Sequence, residues 1–281
     1  MTKHVAAVRL EQPPRVAALG VGVHGIAANR DVFCLPDLWQ FHLYRYTAEL
    51  TIDGIAHTIR PGHVSLVPPA TVVEYRYQGR SEHLYAHLEL ATAGPPHRLP
   101  VVQEAGIETA AITDLLLRAI TSFPRTPARA TAEVWAALWR VATLPGRSDS
   151  GTAHAAVAAA VAHIESHLAE PLSVPQIARA ADVSHNHLTR LFRTETGDTV
   201  VAYIRRRRLE RADHLLREST LSIAAVASSV GIPDIQAFNK ACRRELGGSP
   251  RAVRAGTAGL RAGSAPRGPH GPQDGTGALP R

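Results

Sequence analysis

Residues 171–193 read PLSVPQIARAADVSHNHLTRLFR, and residues 221–244 read LSIAAVASSVGIPDIQAFNKACRR. The two stretches vary one pattern. In the first, Ser173 with Gln176 three residues on is a capping-box signature, two side chains satisfying the free N–H groups at a helix start. A short helix follows, with Ile177, Ala178 and Ala181 facing inward. Asp182-Val183-Ser184 predicts a tight turn, with Ser184 placed to cap a second helix that runs to about Thr196 and buries Leu188, Leu191 and Phe192. In the second stretch Ser222 caps a helix with Ile223, Val226 and Ala227 inward, and Val230-Gly231-Ile232 is the turn. Asp234 then caps a helix burying Ala237, Phe238, Ala241 and Cys242. A short helix, a small-residue turn and a capped second helix make a helix-turn-helix. The pattern therefore predicts two such units, their second caps 50 positions apart.

Between the units a continuous helical pattern runs from Thr199 to Arg217, with Tyr203, Ile204, Leu209, Ala212, Leu215 and Leu216 apolar. At 1.5 Å per residue, a helix of about 19 residues spans about 28 Å. Recognition helices that read successive major grooves on one DNA face sit about 34 Å apart. A rigid helix of this length could hold them near that separation within one polypeptide. Upstream, residues 153–169 form a helix with Val157, Val161, Ile164 and Leu168 on one face.

Residues 160–254 resemble the DNA-binding domain of the AraC/XylS family of bacterial regulators. The resemblance rests on Pro171-Leu172-Ser173, Ile177-Ala178, Ala181-Asp182-Val183-Ser184, Leu188 to Arg193 and Gly197, then on Tyr203-Ile204, Arg208-Leu209, Ala212, Leu215-Leu216 and Ser222-Ile223. It continues through Val226-Ala227, Gly231, Asp234, Phe238, Lys240, Arg243, Gly247, Ser249-Pro250 and Arg254. Ile232 and Cys242 stand where the family usually has aromatics, and Ile235 where a polar residue is common. The resemblance implies base contacts from Asn186, Thr189 and Arg190 on the first recognition helix. On the second it implies Ile235, Gln236, Asn239 and Lys240. The side-chain chemistry fits base recognition, since Arg or Lys pairs with guanine, Asn or Gln with adenine, and an apolar side chain meets the thymine methyl. His185, Arg193, Arg243 and Arg244 are placed for phosphates, which supply affinity rather than sequence choice. The plain alternative for any one of these is a solvated helix position. In the run Arg205-Arg206-Arg207-Arg208, Arg208 matches a family position and is expected to be partly buried. The other three are expected to be solvated, or paired with Glu210 or Asp213.

The N-terminal half reads differently. From about Val32 to Leu90 short apolar–polar alternations recur, separated by the hairpin signal Asp53-Gly54 and the turn signal Pro61-Gly62. Strands at this spacing predict a sandwich or barrel. Residues 53–89 resemble, loosely, the cupin-type sensor domain common in the same family, through Pro61-Gly62 and Val64 to Pro69. His83, His87 and Glu89 would share one strand face. Thr71, Val72 and Val73 stand where a metal-binding cupin has its second-motif histidine, so no metal or other cofactor is expected. An unidentified small-molecule effector is the expected ligand, in a pocket that Trp39, Tyr44, Arg45 and Tyr75 could line. Two helical patterns follow within residues 108–144, carrying Ile112, Leu115, Leu116 and Ala119, then Val134, Trp135, Leu138, Trp139 and Val141. Their apolar faces need a partner, either the β domain or a second subunit.

The organisation expected is thus α+β with two domains: a cupin-like sensor domain (1–107), a helical dimerisation segment (108–144), a linker (145–152), a tandem helix-turn-helix domain (153–254) and a disordered tail (255–281). The net charge of +7 is uneven: residues 1–152 hold 14 basic and 13 acidic side chains, residues 153–254 hold 14 and 10. A basic C-terminal half fits a polyanionic partner. Arg9, Glu11, Pro13, Pro14 and Arg15 break up any signal-peptide core, and no apolar run is long enough to span a membrane, so a cytoplasmic location is expected. The only cysteines, Cys34 and Cys242, form no CxxC and are expected to be small buried hydrophobes. No nucleophile–base constellation, phosphate loop or complete metal motif points to an enzyme. The alternatives are a cupin-like enzyme with a DNA-binding appendage, and a constitutive DNA binder whose N-terminal domain only dimerises. The resemblance implies double-stranded DNA, RNA polymerase and a second copy of the chain as partners.

Overall fold

The computed structural model describes residues 4–144 and 152–256. The first stretch opens with β1 (Val5–Val8), β2 (Arg15–His24), β3 (Arg30–Cys34), β4 (Trp39–Tyr44), β5 (Ala48–Ile52) and β6 (Ile55–Ile59). It continues with β7 (His63–Val67), β8 (Val72–Tyr77), β9 (Ser81–Glu89), β10 (His97–Pro100) and β11 (Val102–Glu104). The two main sheets run β11-β7-β4-β9-β2 and β3-β8-β5-β6, and β1 pairs with β10. All pairings are antiparallel. Asp53 and Gly54 take φ 46° and 80°, which is what the tight β5–β6 hairpin requires. The alternation pattern stops short of β2. Gly20 and Gly22 interrupt it there because a Cβ at either would lie 2.8 Å from the Tyr85 hydroxyl or 2.6 Å from the His83 ring.

The five-stranded sheet is apolar on one face and polar-aromatic on the other. Its apolar face, with Phe41, Leu43, Leu84 and Leu88, is covered by α1 (Thr109–Ser122) and α2 (Pro127–Ala142). Their inward residues Ile112, Leu116, Ala119, Val134 and Leu138 are fully buried there, so the β domain of the same chain supplies the partner that these faces need. The other face meets the four-stranded sheet through Tyr44, Leu50, Ile52, Val73, Tyr75 and Tyr77. Cys34 is exposed at the end of β3, contrary to expectation, while Cys242 is buried.

The second stretch is helical: α3 (Thr152–Ser166), α4 (Val174–Ala180), α5 (His185–Thr196), α6 (Val200–Glu218), α7 (Ile223–Ser229), α8 (Ile235–Glu245) and α9 (Pro250–Arg254). Two cores flank α6. One gathers Val157, Ile164, Ile177, Leu188, Phe192 and Tyr203, the other Leu209, Leu216, Val226, Phe238, Cys242 and Val253. Ala237, expected inside, is exposed. The expected linker falls almost wholly on residues outside those described, and so does the expected tail from residue 257 on.

The two halves dock through α3, which is apolar on two sides. Val157, Val161 and Ile164 face the helix-turn-helix core, while Ala158 and Ala162 are also buried. The Pro61-Gly62 turn sits directly on α3: a Cβ at Gly62 would lie 2.7 Å from Cβ of Ala162. One charged group enters this seam. Arg207 is 4 % exposed. Its guanidinium donates to Glu165 on α3 at 2.7 Å, to Asp114 on α1 at 2.6 Å and to Glu210 at 2.5 Å. Arg207 makes the pairing with Glu210 that its run allows, but it is buried rather than solvated, because Glu165 and Asp114 join Glu210 in offsetting its loss of water. Glu165, the one acidic residue of the alanine- and valine-rich α3, was the sequence signal for this buried pair.

Candidate nucleic-acid interface

The first unit is assembled as the motif predicts. Ser173 and Gln176 form the capping box of α4. Val183 N–H donates to the Ala178 carbonyl at 3.0 Å, closing the turn. The Ser184 hydroxyl accepts from the His187 N–H at 3.3 Å and starts α5. Gly197, at φ 75°, ends it. Leu188 and Phe192 anchor α5 to the core, which turns His185, Asn186, Thr189, Arg190 and Arg193 to solvent. With Thr194 these five line an open concavity of about 580 Å³. The first-helix candidates are therefore gathered on one surface. Arg190 lies 3.3 Å from the ring Nδ1 of His187, and the Thr189 hydroxyl donates to the His185 carbonyl at 2.9 Å.

In the second unit Asp234 Oδ1 accepts from the Gln236 and Ala237 N–H groups at 2.8 and 3.1 Å. Phe238 and Cys242 hold α8 down, leaving Ile235, Gln236, Lys240, Arg243 and Arg244 exposed. Asn239 is half-buried, its amide donating to the Ile235 carbonyl at 2.9 Å. Arg244 is partly neutralised by Glu245 at 2.9 Å. Between the units, α6 is 19 residues long, as its pattern predicts. Its arginines diverge. Arg205 reaches Glu245, and Arg206 reaches Asp198 and Glu210 and lies over the Tyr203 ring. Arg208 donates to the carbonyls of Leu168 and Glu170.

A second constellation lies between the two sheets. Strand register places Gln40 beside His87, His42 beside Tyr85 and Tyr44 beside His83, with Gly20 and Gly22 flanking on β2. The Tyr44 hydroxyl is 2.7 Å from Ser65 Oγ and 3.0 Å from the Tyr75 hydroxyl, which is 2.9 Å from His42 Nδ1. Burial drives the His42 imidazole well below its usual range and His83 to about 3, and it lifts the Tyr44 phenol to about 12. These groups are therefore neutral. Gln40 Nε2, His42 Nε2 and His83 Nδ1 are buried with no hydrogen-bond partner among the described residues. Of the four expected pocket residues only Tyr44 and Tyr75 belong to this panel. Trp39 packs between the cores, and Arg45 reaches outward to Glu82 and to the Glu165 carbonyl. His83 and His87 share a face with Glu89, which is engaged by Arg15. Among the described residues no three His, Cys, Asp or Glu side chains converge as a metal site.

Residues 177–256 match the helix-turn-helix domain family. The C-terminal domain is of the AraC type. Over 96 residues the chain is 41% identical to the HTH-type transcriptional activator RhaS of Escherichia fergusonii, covering 34% of this chain and 34% of that protein. It is 36% identical over 91 residues to the Msm operon regulatory protein of Streptococcus mutans, covering 32% and 33% respectively. A crystal structure of the DNA-binding domain of AdpA in complex with a target DNA matches at 33% identity and a TM-score of 0.34, covering 36% of this chain and 92% of that one. The chain spans about a third of the length of the curated relatives it matches. Of the three positions at which this AraC-type domain departs from the usual pattern, two are accommodated by packing and the third, Ile235, stays exposed. Cys242 fills the second core in place of an aromatic, its thiol pushed up to about 11 by burial, and Ile232 packs at the edge of the same core.

Proposed function

We propose that this chain is a sequence-specific regulator of transcription that reads DNA with α5 and α8 and is controlled by a small-molecule effector acting on its N-terminal half. The single observation that carries this is the presentation of two capped, exposed recognition helices on one 19-residue connecting helix. Asn186, Thr189, Arg190, Ile235, Gln236, Asn239 and Lys240 take the base edges. His185, Arg193, Arg243 and Arg244 take the phosphates, and Asn239 needs only a rotamer change to do its part. The chain acts by binding rather than by catalysis. In the same reading the N-terminal sheets are a cupin-like sensor without a metal, the protein works in the cytoplasm, and RNA polymerase is its partner when it activates. A homodimer would use the surfaces of α1 and α2 turned away from their own sheet. The test is an anisotropy titration of the full chain against duplexes selected from random sequence, at two salt concentrations. Arg190→Ala and Lys240→Ala should each weaken the selected site by about 1–3 kcal/mol while leaving random duplex nearly untouched. Binding that is salt-sensitive but blind to sequence and to both substitutions would refute it.

A further inference from the structure

Between the halves of the molecule lies a cleft of about 390 Å³, within the size range of sites for small molecules. One wall is Asp114, Leu117, Arg118 and Arg129 from α1 and α2; the other is α6 from Glu210 to Glu218. The wall charges are matched in contact pairs with one exception. Asp114 and Glu210 are held by Arg207, Asp213 by Arg217 at 2.8 Å, Glu218 by Arg129 at 3.4 Å, and Arg118 is held by Glu133 at 3.3 Å. Arg211 is left over. It lines the cleft and makes no hydrogen bond or ion pair with any described residue. The carboxylates of Glu165, Asp114 and Glu82 act on it only through space, and Arg207 and Arg45 occupy them. Removal from water, with Arg45 nearby, pushes its guanidinium down to about 10. A largely desolvated guanidinium without a partner costs stability unless something completes it. His214, which lies 3.2 Å from the Thr121 hydroxyl across the cleft, adds a neutral polar group, and Leu117 adds an apolar one.

We propose that this cleft is a binding site for a small acidic molecule, whose carboxylate or phosphate group is held by Arg211. This rests on the regulator reading for its consequence: such a molecule is the effector, and it acts by bridging α1 and α2 to α6. Because both domains contribute walls, the ligand favours the docked arrangement by its differential affinity for it.

The experiment is calorimetric titration of the full chain with succinate and, separately, inorganic phosphate, at constant ionic strength with chloride as control. One saturable site per chain for at least one anion is expected, with a melting temperature that rises with its concentration. The succinate and phosphate arms separate a carboxylate ligand from a phosphorylated one. Arg211→Gln should weaken binding at least about tenfold, Arg211→Lys should restore part of it, and Arg179→Gln, exposed on α4 and outside the cleft lining, should leave it unchanged. Without ligand, Arg211→Gln should melt no lower than the parent protein, because it removes an unpaired charge; a lower melting temperature would assign Arg211 a structural role and overturn the proposal. Absence of saturable binding, or equal binding by Arg211→Gln, would also overturn it. DNA titrations on the same samples keep the two claims apart. Selective DNA binding without anion binding sinks the cleft alone, and anion binding without selective DNA binding sinks the regulator reading alone.

Discussion

In the first helix-turn-helix unit the chain turns between helices at Asp182, with φ 53°; in the second it turns at Gly231, with φ 71°. The hydrogen bonds are equivalent: Val183 to Ala178 at 3.0 Å in one, Ile232 to Ala227 at 2.9 Å in the other. The surroundings are not. Asp182 faces solvent and carries its side chain freely. A Cβ at Gly231 would lie 2.8 Å from both the Leu168 carbonyl and the Arg208 guanidinium. The second turn is thus wedged against the end of α3 and against α6. The first unit is fixed instead from behind, by α3, whose other side meets the N-terminal half, and by the Arg207 cluster. One motif is positioned in two ways: among the described residues the buried ion pair with the N-terminal half lies at Arg207, on the first unit's side of α6, while the second unit's side meets that half through His214 and Glu218.

That contrast can be broken at several points. The largest effect is expected from Arg207→Ala, which strands Glu165, itself 2 % exposed, in the seam. Losing one partner of a buried pair typically costs about 3–5 kcal/mol, to be read by chemical denaturation. Arg206→Ala, on the exposed side of the same helix, should cost under about 1 kcal/mol. Next, Gly231→Ala should destabilise by about 1–3 kcal/mol through positive φ alone, and further through the contacts described. Asp182→Gly should be neutral or mildly stabilising. If the two turns respond alike, the wedge is wrong. Smaller still are the caps. Asp234 takes two backbone donors and Ser184 one, so within the range of about 0.5–2 kcal/mol, Asp234→Ala should exceed Ser184→Ala in thermal melts.

Much of the C-terminal half was legible in the sequence because its signals are local. Caps, turn residues and helical periodicity each act within a few positions, and Ser173, Ser184, Ser222 and Asp234 all cap where the pattern put them. The N-terminal half was less legible because its determinants are non-local. Gly20 and Gly22 hide β2 from a periodicity reading, and their reason is a pair of rings more than 60 residues away. The burial of Arg207 was hidden on similar grounds. A four-arginine run on a helix predicts solvent or a pairing with Glu210 or Asp213, and only the approach of Asp114 and Glu165 from two other elements makes one of the four a buried group. Arg211, one turn further along, carries no local signal, since its distinction is the absence of a partner that its neighbours possess.

The measurement that bears most directly on the two-helix account is hydroxyl-radical footprinting of the full chain on a selected duplex. Two protected patches about 34 Å apart on one face of the DNA are predicted. Arg190→Ala should erode one patch and Lys240→Ala the other. A single patch, or loss of the same patch in both variants, would contradict the account.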